Sequence, residues 1–424
     1  MGSFSEIHAM EENIDKGKLQ VTIRSGTDNH PVENALVRIS YTGDPDSFVE
    51  EVRTDESGQT PVLELKSPPL EYSMSADQEK QPYAEYTVQV EAEGYEKEEV
   101  AGTEVLPKVL AKQPVLLAAR NITDSYQRIV IPPHTLFGDY PPKIEEAEVK
   151  PIEESGEIVL SKVVIPEYVV VHDGPANDPS ASNYYVRYRD YIKNVASSEI
   201  YATWPDDTIR ANVLAIMSFT LNRVYTEWYR NKGYDFTITS STAYDHKWIR
   251  GRNIFDSIER IVDELFENYL SRPNVRQPIL TQYCDGRKVE CQSRGWMTQW
   301  GSKALGDRGY SAIEILRYFY GNDMYINVAE EISGVPASWP GYDLDIGASG
   351  SKVLQIQEQL NAISQAYPAL PRVNEDGIYG PLTKASVRKF QNIFGLPETG
   401  IVDYSTWYKI QEIYVGVTRI AELQ

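Results

Sequence analysis

Alternation of apolar and polar residues dominates the first quarter of the chain. Leu19-Gln20-Val21-Thr22-Ile23-Arg24, Ala35-Leu36-Val37-Arg38-Ile39-Ser40 and Tyr86-Thr87-Val88-Gln89-Val90-Glu91-Ala92 each place every second side chain on one face, the period of a half-buried strand. Turn signals such as Thr54-Asp55-Glu56-Ser57-Gly58 and Gly94-Tyr95 separate them, so residues 1–120 are predicted to form a small antiparallel β-sandwich. Further on the period becomes helical. Asp190 to Ile200 carries Ile192, Val195 and Ala196 at helical spacing and must end before Trp204-Pro205, because proline disfavours helix in the residue preceding it. Pro205-Asp206-Asp207 then opens a second helix with proline and two acids at its positive end; Ile209, Val213, Ile216, Met217, Leu221 and Val224 predict a central core helix. A third helix is expected from Ile254 to about Leu270 and a fourth from Tyr310 to Tyr320. Near the end, Val353, Ile356, Leu360 and Ile363, then Ala385, Val387 and Phe390, then Trp407 and Ile410 stripe three short helices.

The periodic regions are parted by punctuated ones. Pro132-Pro133, Pro141-Pro142 and Pro151 interrupt an acidic stretch from Glu145 to Glu154, the composition of a solvated connector that proteases reach. A shorter linker surrounds Trp339-Pro340-Gly341. The expected organisation is a multidomain α+β chain: an N-terminal all-β sandwich over 1–120, an acidic proline-rich linker over 121–165, an α+β domain over 166–332, a linker over 333–344 and a three-helix domain over 345–424. A length of 424 residues agrees, since it exceeds what one core usually organises.

Charge narrows the partners. The formal net charge is −21, and residues 1–150 hold 14 Lys and Arg against 28 Asp and Glu. Such a field repels phosphate backbones, so nucleic acid is not an expected partner. No run of 18 apolar residues exists to span a membrane. Met1 to His8 has neither a basic nor an apolar stretch, so synthesis without a secretory leader is expected. With 29 Tyr and seven Trp against ten Phe, aromatic faces tipped with polar atoms are plentiful, which suits sugars as well as half-buried core.

Glu199 is the most informative single residue. It follows Ile192, Val195 and Ala196 at i+7 and so carries a carboxylate into the apolar stripe of its helix. Burial disfavours the charged form and raises the pKa, as a general acid near neutral pH requires. The plainer alternative is a structural pair with a cation such as Arg210. No second carboxylate stands out as its partner: Asp206 and Asp207 suit a helix N-terminus, and Asp245 falls in an expected loop. A single acid suffices where the nucleophile lies within the substrate. Cys284 and Cys291 flank the hairpin signal Asp285-Gly286-Arg287; they could join as a disulfide or, with His246, supply three zinc ligands. His8, His30, His134 and His172 show no constellation and are expected at the surface.

Asp190-Tyr191-Ile192-Lys193-Asn194-Val195-Ala196-Ser197-Ser198-Glu199, followed by Trp204-Pro205 and the helix through Asn212 to Arg223, resembles the stage II sporulation protein D family. Met297-Thr298-Gln299-Trp300-Gly301-Ser302, Gly309-Tyr310 and Ile315-Leu316-Arg317-Tyr318-Phe319-Tyr320 match that family's second motif. Ser293-Arg294-Gly295-Trp296 and His246 depart from it. The C-terminal segments Asp376-Gly377-Ile378-Tyr379-Gly380-Pro381, Val387-x-x-Phe390-Gln391 and Thr399-Gly400-Ile401-Val402-Asp403 resemble the three-helix peptidoglycan-binding domain, and the sandwich resembles the transthyretin-like or carboxypeptidase-regulatory type. Together this order is similar to that of the clostridial spore cortex-lytic enzymes.

The resemblance implies a zymogen of a lytic transglycosylase that cuts the MurNAc–GlcNAc bonds of cortex peptidoglycan during germination and leaves 1,6-anhydromuramoyl ends. Glu199 would be its acid, with Gln299, Tyr283, Tyr244, His246 and Trp300 as candidates for holding the glycan. It implies no cofactor and no metal. Activation would follow a cut by a subtilisin-like Csp protease near Glu148, Val149 and Lys150, and the location would be the spore, at the cortex and coat boundary, after synthesis in the mother cell. An amidase acting on the same wall and a non-catalytic wall-binding protein are the competing expectations.

Overall fold

The computed structural model describes residues 14–27, 29–120, 126–150, 160–333 and 339–418. The expectations for His8, for Pro151 to Glu154 and for part of the second linker lie outside these residues. The described chain is mixed α/β with several small sheets.

The alternating segments become strands as their spacing demands. Strand β1 (Asp15–Ser25) buries Leu19, Val21 and Ile23; β2 (Leu36–Tyr41) and β3 (Asp44–Arg53) form an antiparallel pair. After β4 (Leu63–Ser67) come β5 (Ala84–Glu91), β6 (Lys97–Val105), β7 (Leu110–Leu117) and β8 (Tyr126–Val130). One sheet runs β3-β2-β5-β6-β8, and the other places β1 between β4 and β7. The second sheet does not end with the sandwich. Ile254 and Phe255, from the middle of the chain, pair antiparallel with Lys112 and Ala111 of β7. Beside this seam Arg252 donates to both carboxylate oxygens of Glu104 at 2.7 and 2.6 Å, and the Asn253 side chain exchanges two hydrogen bonds with the Glu104 backbone.

In the central region the helix Asp206–Tyr225 is buried on nearly every side from Thr208 on, its polar Asn212, Ser218, Asn222 and Arg223 being hydrogen-bonded to neighbouring segments. The acid-bearing helix Tyr188–Glu199 and the helix Asp256–Leu265 pack against it. The expected third helix is shorter at both ends, because Ile254–Phe255 joins β7 and Asn268–Ser271 pairs with Tyr325–Val328. A further helix, Gln299–Gly306, was hidden by its two glycines. A Cβ on Gly306 would lie 1.9 Å from Thr208 Oγ1, so glycine is what lets this helix reach the central one, where Asn212 Nδ2 donates to Ser302 Oγ at 2.8 Å.

The C-terminal unit consists of helices Ser351–Ala366, Pro381–Phe394 and Tyr404–Thr418. Two buried glutamines organise its turns: Gln357 Oε1 accepts from Gly377 N–H and Gln391 Oε1 from Gly400 N–H, both at 2.7 Å. Each glycine has positive φ, near 69° and 67°, where a side chain would be strained. This unit is tied to the others by a buried ionic junction. Asp263 accepts from Lys193 (2.9 Å) and Lys409 (3.2 Å), Arg189 reaches Asp263 and Glu412, and Lys112 of the sandwich reaches Glu259 at 2.8 Å.

Two expectations need correction. Residues 126–150 are not a solvated connector: after β8, Pro132 to Lys150 forms a strap docked along the central domain, with Lys143 and Lys150 buried. Its anchors are backbone hydrogen bonds and distant arginines, which composition does not register. His134 and His172 are also not surface residues, each being buried and stacked, on Tyr201 and Phe236 respectively.

Candidate active site

Glu199 closes its helix. Ile200 turns to extended backbone (φ −137°, ψ 148°), so the carboxylate leaves the helix end pointing into the body of the domain and is only 3% exposed. Its Oε1 accepts the Lys247 N–H at 2.6 Å, and its Oε2 accepts the Tyr283 hydroxyl. Arg210 pairs instead with Asp206 and Glu264 and is not a partner of Glu199; the nearby cation is Lys143. Burial pushes the Glu199 carboxyl above its ordinary value of 4.5, partly opposed by the Lys143 ammonium and the two hydrogen bonds.

The other candidates divide into wall and backing. Tyr283 faces the acid directly. Gln299 donates from Nε2 to the Glu199 carbonyl at 2.9 Å and borders the same cleft. His246 is fully buried behind Tyr283, stacked on it and tilted against Phe219, with Nδ1 3.1 Å from the Tyr191 hydroxyl. Burial, together with Lys143 and Arg223, keeps its imidazole well below the usual range and hence neutral. It supports Tyr283 and does not line the cleft. Trp300 packs in the core against Trp204 and Tyr201, and Tyr244 is half-buried with its carbonyl accepting from Arg223. Neither borders the cleft. Asp245 is structural as well: Arg223 Nε, the Tyr229 hydroxyl and Thr239 all donate to it. Cys284 and Cys291 are joined as a disulfide, so neither is a thiolate ligand, and the zinc alternative with His246 falls. The bond closes a loop whose Asp285, Lys288 and Val289 border the cleft.

The opposite wall belongs to the strap. Thr135 donates from N and Oγ1 to the Ser198 carbonyl at 3.1 and 3.0 Å, and Gly138 to Lys143 continue over the acid. The cleft is partly open and measures about 160 Å³, smaller than the roughly 300 Å³ at which ligand pockets begin. Lys143 reaches into it with Nζ donating to the Asp245 and Thr242 carbonyls, its charge over the rings of Tyr283 and Phe219. Sequence reasoning missed Lys143, whose only local signal is the Pro141-Pro142 pair before it. The expected cleavage region is docked too: the Glu148 carbonyl accepts from Leu280 N–H at 2.8 Å, and Lys150 Nζ lies 4.1 Å from the centre of the Trp228 ring.

Residues 349–410 match the peptidoglycan binding domain family, which marks the chain as a cell-wall-related protein. A curated relative, the zinc D-Ala-D-Ala carboxypeptidase of Streptomyces albus G, is 36% identical over 77 residues. That match spans 18% of this chain and 28% of the relative, well under the length of either. Among solved structures, 5-hydroxyisourate hydrolase of Klebsiella pneumoniae is 16% identical over 24% of this chain and 92% of its own, with a TM-score of 0.17. Transthyretin of Sparus aurata is 14% identical over 24% of this chain and 90% of its own, with a TM-score of 0.15. TM-scores this low carry no argument.

Proposed function

We propose that the chain is the precursor of a spore cortex-lytic transglycosylase acting on MurNAc–GlcNAc bonds, held inactive until its N-terminal region is cut. The observation that carries this reading is Glu199: a buried carboxyl, raised above its ordinary pKa, that borders a cleft with Tyr283 and Gln299. The C-terminal domain that matches the peptidoglycan binding family supports the wall as partner.

Protonated Glu199 gives its proton to the glycosidic oxygen as the bond from muramoyl C1 breaks. The resulting carboxylate then takes the proton of the C6 hydroxyl, whose oxygen closes onto C1 and leaves the 1,6-anhydro end. The proton returns to the same carboxyl, so one residue serves as acid and then as base. Lys247 N–H and Tyr283 O–H stabilise the carboxylate between these steps.

The test is digestion of cortex by the full chain cut within residues 151–159. Anhydromuropeptides by mass spectrometry are expected from the cut chain, with at least a hundredfold less from Glu199→Gln, in line with the ~10²–10⁴-fold usually supplied by a general acid. Free peptide stems would point to an amidase, and equal activity of the uncut chain would remove the zymogen role.

A further inference from the structure

Lys143 to Lys150 runs along the central domain with a bend at Glu148 and Val149, and the row of backbone and side-chain groups that hold it there forms a channel of the kind that recognises peptide. The Ile144 N–H donates to the Ala243 carbonyl and the Ile144 carbonyl accepts from Gln282 Nε2, both at 2.7 Å. Glu146 N–H donates to Gln282 Oε1 at 3.0 Å, the Glu148 carbonyl accepts from Leu280 N–H at 2.8 Å, and Lys150 N–H donates to Gln277 Oε1 at 2.7 Å. Every second residue from Ile144 to Lys150 is engaged, the spacing at which a peptide backbone is read by a receptive edge.

Two carboxylates at the same spacing meet arginine forks. Arg223 donates to both oxygens of Glu146 at 2.6 and 3.0 Å, and Arg272 to both oxygens of Glu148 at 2.6 and 2.8 Å. Lys143, at the start of this segment, also borders the acid's cleft, and its Nζ and the Arg223 guanidinium both lie by the Phe219 ring, at 5.2 and 5.0 Å from its centre. All the receiving groups follow residue 159 in sequence, so a cut after the strap leaves them on the same piece as Glu199.

We propose that this channel seats the peptide stem carried by the muramoyl sugar, and that the strap keeps it shut by imitating the stem's extended backbone and carboxylates. The inference rests on the glycan-cleaving reading of Glu199. A wall stem is a short peptide attached beside the bond to be cut, and it offers amides and free carboxylates. A stem-free muramoyl sugar offers a single lactyl carboxylate beside the ring, too few anionic groups and no peptide backbone to fill two guanidinium forks spaced along a chain. Removing Glu146 and Glu148 leaves two forks facing the channel, with Asp245 and Asp323 as their remaining acidic partners.

The experiment uses the full chain cut within residues 151–159 and carrying Lys143→Ala and Glu148→Gln to loosen the strap. Calorimetry compares binding of N-acetylmuramoyl tetrapeptide with that of the stem-free disaccharide, using the uncut wild-type chain as the baseline for the C-terminal domain. Tetrapeptide binding above that baseline is expected, and Arg272→Gln should weaken it about tenfold, the scale of one charge-assisted fork. The same variant should lower the ratio of kcat/KM on stem-bearing over stem-free glycan by a similar factor. Absence of excess binding in the loosened chain, or binding indifferent to Arg272→Gln, overturns the channel. Intact, Arg272-dependent binding without any glycan cleavage would sink only the transglycosylase reading.

Discussion

Glu104 of the sandwich and Arg252 of the central domain form a forked ion pair with no more than 1% of either side chain exposed. Arg252 also donates to the Ser197 carbonyl, two residues before the candidate acid. The pair therefore joins the N-terminal region to the backbone that presents Glu199.

Glu104→Ala strands a guanidinium in a dry interface. Loss of one partner of a buried pair costs about 3–5 kcal/mol, because the other charge keeps its desolvation penalty. Denaturant unfolding of the full chain should show a loss of that size; a change below about 1 kcal/mol would mean that water reaches Arg252.

Cutting the chain is expected to loosen the strap without releasing the sandwich. The strand pairing of Ile254–Phe255 with β7, the Glu104–Arg252 pair and the Lys112–Glu259 pair all survive a break within residues 151–159. On size exclusion at moderate salt the two pieces should co-elute near the 48.1 kDa of the intact chain. Separate peaks would show that the seam is weaker than its contacts suggest.

The proposed mechanism requires the acid form of Glu199, whose pKa is raised above 4.5 by burial. Activity of the cut chain should accordingly persist above pH 4.5 and fall as pH rises through the shifted value, when the proton is lost. The Tyr283 hydroxyl favours the carboxylate, so Tyr283→Phe should move this alkaline limb further upward while lowering the peak rate. A downward move of the limb would exclude Glu199 as its origin.

The Cys284–Cys291 bond pins a short loop at the cleft. Closing a loop this short contributes about 2–3 kcal/mol in the chain-entropy account. Cys291→Ser should lower stability by that amount in thermal or denaturant unfolding, and reduction of the native chain should match it. If reduction changes nothing, the loop is held by the three backbone N–H groups that Asp285 accepts.

What the sequence disclosed was whatever repeats locally. The alternation of Leu19, Val21 and Ile23 declared a strand, the stripe ending at Glu199 declared a buried acid, and the spacing of Ile209, Val213, Ile216 and Met217 declared the core helix Asp206–Tyr225. What stayed hidden was every relation between distant segments. Lys143, Glu146 and Glu148 look like a polar linker because their partners, Tyr283, Arg223 and Arg272, lie 75 to 140 positions away, roughly, and obey no period. The motif order sets His246 and Trp300 beside the acid, yet one lies behind Tyr283 and the other in the core, since a motif gives order along the chain and not depth.

The seam between Ile254–Phe255 and β7 gives a departing sandwich a defect. It would leave with bare amide and carbonyl groups along Ala111 and Lys112, an open margin inviting another strand to zip onto it. Under the proposed activation, a severed piece that stays seated would avoid shedding an adhesive fragment.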